Sequence, residues 1–311
     1  MMDLTTLNGT RAQPLCFGAM QFGGTADIVA SQSMYADCRA AGINFFDTAY
    51  VYTGGQSETM LGRFAASERD DVLIATKAAY DKPATKDNVL ASFEESRTRM
   101  NIDTIDLMYL HRFDDATPLQ DSLSALAELR EDGLIRYIGI SNFAAWQVMK
   151  AAQIARDLGT MIDVIQPMYS LVKRQAEVEI FPACADQSIA VVPYSPLGGG
   201  LLTGKYSADD ASGRLISDSR YNARYNVPWM HDCARDLSDM ARTHGVSPAT
   251  LAVAWAAKNP HVAAPIISAR SSEQLAPSLA ALSFDMSDAL YDQITALSQA
   301  PAPATDRLEE A

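Results

Sequence analysis

The feature that most limits how this chain can fold is an alternation of two periodicities. Short, near-continuous apolar runs rich in β-branched residues recur along it, and segments with helical spacing and capping residues stand between them. The strand-like runs are residues 16–22, 43–48, 72–77, 105–111, 135–141, 164–167, 190–195 and 264–268. Among the helical segments, Thr117-Pro118-Leu119-Gln120 reads as a capping box with proline at the first helical position. Leu119, Leu123 and Leu126 then line one face, and Gly133 closes the helix. Ser247-Pro248 and Ser271-Ser272-Glu273-Gln274 open two more. Strands that are apolar on both faces and separated by helices make a parallel sheet covered by those helices. Eight such units in 311 residues fit a closed (β/α)8 TIM barrel. An open doubly wound sheet is the alternative; it is disfavoured because no G-x-G-x-x-G follows an early strand, and Gly198-Gly199-Gly200 come late with the wrong spacing.

Ahead of the barrel, Leu7-Asn8-Gly9-Thr10 within residues 4–15 predicts a β-hairpin, because Asn-Gly supplies the positive φ that a two-residue turn needs. The expected organisation is one barrel domain over residues 1–311. Two stretches break the rhythm: a polar one at 202–228 and a tail at 301–311, expected to be disordered.

Charge narrows the function. A net charge of −13 excludes nucleic acid and anionic membrane as partners, since both need clustered Lys and Arg. No apolar run is long enough to span a bilayer and the N-terminus lacks a basic-then-apolar order, so a cytoplasmic location is expected. Cys16, Cys38, Cys184 and Cys233 are widely spaced with no histidine pair beside them; they read as reduced structural thiols, and no metal site is expected.

In a parallel barrel the residues that close the strands gather at one face, where such folds place chemistry. Those residues here are Asp47, Lys77, His111 and Ser141-Asn142. A lysine ending an apolar strand needs a charge partner, and Asp47 is the natural one. Tyr52 precedes Thr53-Gly54-Gly55, a loop able to carry the phenol back over the strand end. An ammonium beside that phenol is expected to lower its pKa, making Tyr52 a proton donor and acceptor, with His111 on the same substrate oxygen. Taken singly, each residue has a plainer reading as a cap or surface group; Ser141-Asn142, for instance, would cap a helix carrying Trp146 and Met149.

The segments 46–52, Ala75-Thr76-Lys77, Tyr109-Leu110-His111, Gly139-Ile140-Ser141-Asn142-Phe143, Ile165-Gln166 and Pro193-Tyr194-Ser195-Pro196-Leu197-Gly198 together resemble the aldo-keto reductases, in that family's order, over roughly residues 4–298. The resemblance implies a barrel that binds a nicotinamide dinucleotide and transfers hydride to or from a carbonyl carbon. It implies Tyr52 as general acid, Lys77 as the group tuning it, Asp47 as the ion partner of that lysine, and His111 orienting the carbonyl oxygen. Ser141, Asn142 and Gln166 would bind the carboxamide, and Tyr194 would stack on the ring. Ser195, Leu197, Gly198 and Lys205 would serve the pyrophosphate. Ser268, Arg270 and Gln274 lie in a segment similar to the family's motif for the adenosine 2′-phosphate, which implies NADPH with NADH possible. Where the family usually carries Glu-Asn near the adenine, this chain has Pro277-Ser278, and Ser268 stands where Gly or Lys is common.

The expected ligand besides the cofactor is a small-molecule carbonyl compound, with Phe22, Tyr50, Tyr80, Phe113 and Trp229 as candidate apolar walls. No protein partner is read from the sequence. A non-catalytic nicotinamide-binding regulatory subunit is the other class open, because regulatory relatives of this fold keep the same four residues. A barrel hydrolase using Asp47 and His111 would leave Lys77, Gln166 and Tyr194 without a task.

Overall fold

The computed structural model describes residues 4–206, 214–307 and 309. Eight parallel strands, β1 (Cys16–Gly18), β2 (Phe45–Asp47), β3 (Leu73–Ala78), β4 (Ile105–Leu110), β5 (Ile135–Ser141), β6 (Val164–Gln166), β7 (Ala190–Val191) and β8 (Ile266–Ile267), form one sheet in the order β7-β6-β5-β4-β3-β2-β1-β8. The end strands meet through parallel bridges Val191↔Val262 and Tyr194↔Ile266, and Ile266 N–H donates to Pro193 O at 2.8 Å, so the sheet closes on itself. Six helices, α1 (Ile28–Ala40), α2 (Gln56–Ala65), α3 (Lys86–Met100), α4 (Leu119–Glu131), α5 (Ala145–Asp157) and α6 (Ile180–Asp186), alternate with β1 to β7. Four follow β7: α7 (Arg214–Ser217), α8 (Ser219–Tyr225), α9 (Pro228–Thr243) and α10 (Pro248–Lys258). After β8 come α11 (Ser272–Leu279) and α12 (Asp288–Thr295). The barrel expected from the sequence is the fold observed.

Every expected strand is present, although the ladders are shorter than the apolar runs. β1 stops at Gly18 because the chain turns at the mouth, where Phe22 N–H bonds back to Ala19 O at 2.9 Å. Phe22 is fully buried and packs on Phe17 and Phe64, so it belongs to the layer between barrel and helices and is no wall of the mouth.

Side chains of alternate residues point to opposite faces of a strand. One cluster, with Phe45, Leu73, Ala75, Leu107, Tyr109, Val164, Ala190 and Ile266, fills the barrel interior. The intervening residues, such as Phe46, Ile74, Met108, Ile138 and Ile165, join the larger core under the helices. Gly139 leaves the room that the Tyr109 ring occupies, since a Cβ there would come within 2.2 Å of it. The inward parity continues to the strand ends and places Asp47, Lys77, His111, Ser141, Gln166, Tyr194 and Ser268 on the interior face at the C-terminal rim.

The opposite end is plugged. Thr5 and Arg11 form an antiparallel bridge around Gly9, whose φ is 85°, and Leu4 reaches the interior cluster. This is the predicted hairpin. Among the expected caps, Ser247 and Ser271 accept the backbone N–H of Ala249 and Gln274, and Gly133 follows α4 with φ 70°. Thr117 does something else: its hydroxyl donates to Asp114 at 2.6 Å, and α4 starts at Leu119 behind Pro118. The N-cap position of α4 is thus Pro118, which has no side chain able to accept a helix N–H.

All four cysteines are free and buried. No helix among the described residues is long and apolar enough to cross a membrane. Of the polar stretch at 202–228, residues 207–213 lie outside the described residues, as do 308, 310 and 311 of the expected tail.

Candidate active site

Lys77 is the group around which the rim is built. Its side chain is wholly buried, and an ammonium there must be neutralised and hydrogen-bonded. Nζ donates to Asp47 Oδ1 at 2.5 Å and to Thr48 O at 2.7 Å, and it lies 3.4 Å from the Tyr52 hydroxyl. Burial alone would lower Lys77; the Asp47 and Tyr52 oxygens more than offset it and hold the ammonium above its ordinary value. Burial in turn holds Asp47 above the usual carboxylate range, against the pull of Lys77 and Gln166. With contact this close, the proton stays on Lys77 and the pair is ionic.

Tyr52 comes to this pair because Thr53 and Gly54 adopt left-handed backbone, with φ of 49° and 63°, and fold the loop back over the rim. The sequence led to the expectation of a lowered phenol pKa. Instead Tyr52 is raised above its ordinary value, because burial outweighs the ammonium and Asp47 adds to the cost of a second anion. Tyr52 is therefore a protonated phenol at neutral pH, held next to a cation that stabilises it once it has lost the proton.

His111 completes the polar floor. Its ring meets Tyr52 edge-on at 5.8 Å between centroids, and Nδ1 has no hydrogen-bond partner among the described residues. Burial, with Lys77 and Arg112 nearby, pushes the imidazole down to about 2, so it is neutral at any working pH. A neutral imidazole carries one N–H and can donate it to a substrate oxygen without acting as a cation.

Next to these groups lies an amide cluster. Gln166 Nε2 donates to Asp47 Oδ2 at 2.9 Å and Ser141 Oγ donates to Gln166 O at 2.9 Å. Asn142, at φ 58°, donates to His111 O at 2.9 Å and accepts the Tyr194 hydroxyl at 2.8 Å. The capping reading of Ser141-Asn142 is corrected here: α5 begins after Ala144, whose N–H is taken by Gln147 Oε1 at 2.7 Å. Ser141 and Asn142 are thus left for the rim.

Beyond Tyr194 the chain enters a cradle. Ser195 has φ 63°, and Gly198, Gly199 and Gly200 all have positive φ. A Cβ on Gly199 would stand 2.8 Å from Tyr221 and 2.9 Å from Tyr225, so helix α8 rests directly on this turn. Lys205 Nζ lies 3.2 Å from where a Gly200 Cβ would be, and Leu197 packs against the core from the start of the turn. Left-handed backbone of this kind turns successive N–H groups into a concavity suited to phosphate.

At the far end Ser268 Oγ donates to Gly18 O at 2.8 Å, and Gln274 Oε1 accepts the Arg270 N–H at 3.4 Å, so both side chains are engaged inside the protein. The Arg270 guanidinium is exposed. Pro277 lies inside α11 with its carbonyl taken by Thr250, and Ser278 is buried with an unpartnered hydroxyl.

The sequence reading missed Tyr221, Arg224 and Tyr225 on α8. Tyr221 lies close enough to Tyr52 and Tyr194 to raise the cost of ionising either. The signal was available: Arg220-Tyr221-Asn222-Ala223-Arg224-Tyr225 repeats an Arg-Tyr pair at four-residue spacing, which presents both pairs on one helical face.

Residues 14–299 match the family model described as Aldo/keto reductase family. The chain is 31% identical to a "Probable voltage-gated potassium channel subunit beta" of Oryza sativa subsp. japonica, over 96% of this chain and 97% of that one. It is 30% identical to an uncharacterized oxidoreductase of Bacillus subtilis (strain 168), over 98% of each. It is 35% identical to "Aflatoxin B1 aldehyde reductase member 4" of Homo sapiens, over 66% of this chain and 64% of the relative. With its closed eight-stranded barrel and a family match across nearly its whole length, the chain belongs to the aldo/keto reductase family.

Proposed function

We propose that this protein is an NADPH-dependent oxidoreductase that reduces aldehyde or ketone carbonyls to alcohols. The observation that carries the reading is the buried Asp47–Lys77–Tyr52 chain with neutral His111 beside it, an arrangement that supplies one proton and two oxygen contacts and contains no nucleophile. The rim fits a nicotinamide. Asn142, Gln166 and Ser141 offer amide and hydroxyl groups near Tyr194, whose hydroxyl bonds Asn142, and the positive φ of Ser195 and Gly198 to Gly200 makes a turn suited to phosphate. When bound, the nicotinamide would supply hydride to the carbonyl carbon.

What the chain itself does follows from its geometry. His111 donates a hydrogen bond to the carbonyl oxygen and fixes its direction. Tyr52 gives its proton to that oxygen as negative charge develops there, and Lys77 stabilises the phenolate left behind. Asp47 keeps Lys77 in place and Gln166 keeps Asp47 in place. Asp47, Lys77 and His111 are buried, so these contacts act in a medium less polar than water, where they are stronger.

NADPH rather than NADH is the preferred cofactor in this reading, because the exposed Arg270 guanidinium beside Ser271 can grip a 2′-phosphate. Arg270→Ala should lower the NADPH-over-NADH affinity ratio about tenfold; an unchanged ratio removes Arg270 from the account. The test of the activity is NADPH consumption with 4-nitrobenzaldehyde and a panel of aldehydes and ketones. A protein that binds NADPH and reduces none of them contradicts the enzyme reading and favours a cofactor-binding regulatory subunit, the class to which the name of the rice relative points.

A further inference from the structure

The contact between Lys77 and the Tyr52 hydroxyl, at 3.4 Å, is too long to hold the phenol in place, so its position is set by the loop that carries it. That loop is left-handed at three successive residues, Thr53, Gly54 and Gly55, with φ of 49°, 63° and 90°. A threonine in this conformation persists where its surroundings hold it there. On one side the Thr53 hydroxyl does so, donating to Phe22 O at 2.8 Å and accepting the Ser57 N–H at 3.0 Å. On the other side the loop rests on Arg99, from the last turn of α3. Arg99 Nη1 donates to Tyr50 O at 2.7 Å, and a Cβ on Gly55 would come within 2.6 Å of the guanidinium.

The same Nη1 lies 3.1 Å from Glu58 Oε2, while Nη2 bonds Glu95. Glu58 is wholly buried on α2, where a carboxylate is costly unless both its oxygens are answered. The second oxygen, Oε1, accepts the Thr76 hydroxyl at 2.6 Å. Thr76 precedes Lys77 on β3 and, by the alternation of a strand, points away from the barrel interior. One carboxylate therefore joins the strand that presents the ammonium to the arginine that supports the phenol. Arg99 meets the loop at its backbone, two residues before Tyr52, so its influence on the phenol passes through the loop.

We propose that Glu58 and Arg99 are positioning residues for the proton donor: together they fasten the 50–55 loop to β3 and set where the Tyr52 hydroxyl stands relative to Lys77. This rests on the carbonyl-reductase reading and deepens it, because the chain from Asp47 through Lys77 to Tyr52 then depends on a second buried carboxylate behind the rim. A displacement of about 1 Å at a reacting group is enough to cost roughly 10²-fold in rate. A brace that served stability alone would, when cut, make the protein easier to unfold and leave the rate of the folded protein as it was.

The test uses Arg99→Met, Arg99→Lys and Glu58→Gln in the full chain. It reads kcat for reduction of 4-nitrobenzaldehyde, the NADPH dissociation constant, and hydrogen exchange of the amides of residues 50–55, which needs no substrate. Arg99→Met and Glu58→Gln should speed exchange in that loop and lower kcat roughly 10- to 100-fold, with NADPH affinity within about threefold of wild type. Arg99→Lys should recover part of kcat, because an ammonium can still meet Tyr50 O or Glu58. Added to Tyr52→Phe, Arg99→Met should cost less than about threefold more, since the group it positions is already gone. Loop exchange as slow as wild type in Arg99→Met overturns the proposal, and so does a fold-loss of kcat as large in the Tyr52→Phe background as in the wild type. Should Glu58→Gln fail to fold, the two Arg99 variants decide by the same readings. If the wild-type protein reduces no aldehyde, the carbonyl-reductase reading fails, yet loop exchange still decides whether Glu58 and Arg99 hold Tyr52.

Discussion

The barrel buries carboxylate–cation contacts at both ends, and the two ends use them differently. At the N-terminal end, Asp106 accepts Ile74 N–H at 2.9 Å and pairs with Arg69 at 2.7 Å and Arg136 at 2.8 Å. Asp163 accepts Ile138 N–H at 2.7 Å and pairs with Arg130 at 2.9 Å. The oxygens of these carboxylates are filled by guanidinium and backbone donors, and they tie neighbouring strands together. At the C-terminal rim the Asp47–Lys77 pair is equally buried, but its contacts run on to groups that are left incomplete. Among the described residues the Tyr52 hydroxyl has one hydrogen-bond contact, a long one of 3.4 Å, and His111 Nδ1 has none. A saturated pair braces the fold; an unsaturated chain has capacity left for a substrate. In barrels of this kind the same division holds between a bottom that serves stability and a top that serves chemistry.

That contrast can be broken at either end. Lys77→Met removes the cation that stabilises ionised Tyr52, while burial lets Asp47 take up a proton; kcat for carbonyl reduction should fall roughly 10³-fold with the fold retained. A variant that keeps its turnover would mean the rim pair is structural like those at the bottom. Asp163→Asn should do the reverse, costing about 3 kcal/mol in denaturant unfolding because Arg130 and the Ile138 N–H lose their charged acceptor, with kcat unchanged. A loss of turnover without loss of stability would contradict it. Ser247→Ala, which deletes an N-cap far from both ends, should cost only about 1 kcal/mol, and equilibrium unfolding reads it directly.

The smallest expected effect is on pH dependence. For reduction, Tyr52 must be protonated, and its pKa is raised above the ordinary 10.0; His111 must be neutral, and it is pushed down to about 2. Both groups are in their working form between these limits, so kcat/KM should be flat from about pH 6 to about pH 9, declining only on the alkaline side as the phenol ionises. An inflection near the ordinary histidine value would show that His111 is solvated or paired during turnover.

How much of this was legible in the chain follows the same division. Asp47, Lys77 and His111 could be found because an ionisable group ending an apolar strand needs a reason, whereas Gln166 and Tyr194 were reached only through the resemblance to the aldo-keto reductases; the period of two then carries all of these, with Ser141, to one face. Asp163 escaped notice because it precedes its strand, where a polar residue looks like part of a loop, and Asp106 because the apolar run around it masked one carboxylate; the Arg69, Arg136 and Arg130 partners come from other segments. The direction of the Tyr52 shift was misjudged for a related reason: sequence shows that a lysine is near, and only the structure shows that burial is the stronger influence. Thr117 was read as a cap because the pattern fits one, but α4 begins one residue later, with Pro118 at the N-cap position, and the Thr117 hydroxyl donates to Asp114.

The central claim is that the phenol at the rim is the proton donor. It is tested most directly by measuring kcat for aldehyde reduction and the NADPH dissociation constant for Tyr52→Phe beside the wild-type protein. The account predicts that kcat falls roughly 10³-fold while NADPH affinity changes by less than about threefold, since the hydroxyl acts only as the carbonyl oxygen takes on charge. Turnover within about tenfold of wild type would contradict it, and would leave the rim, like the bottom of the barrel, as a brace.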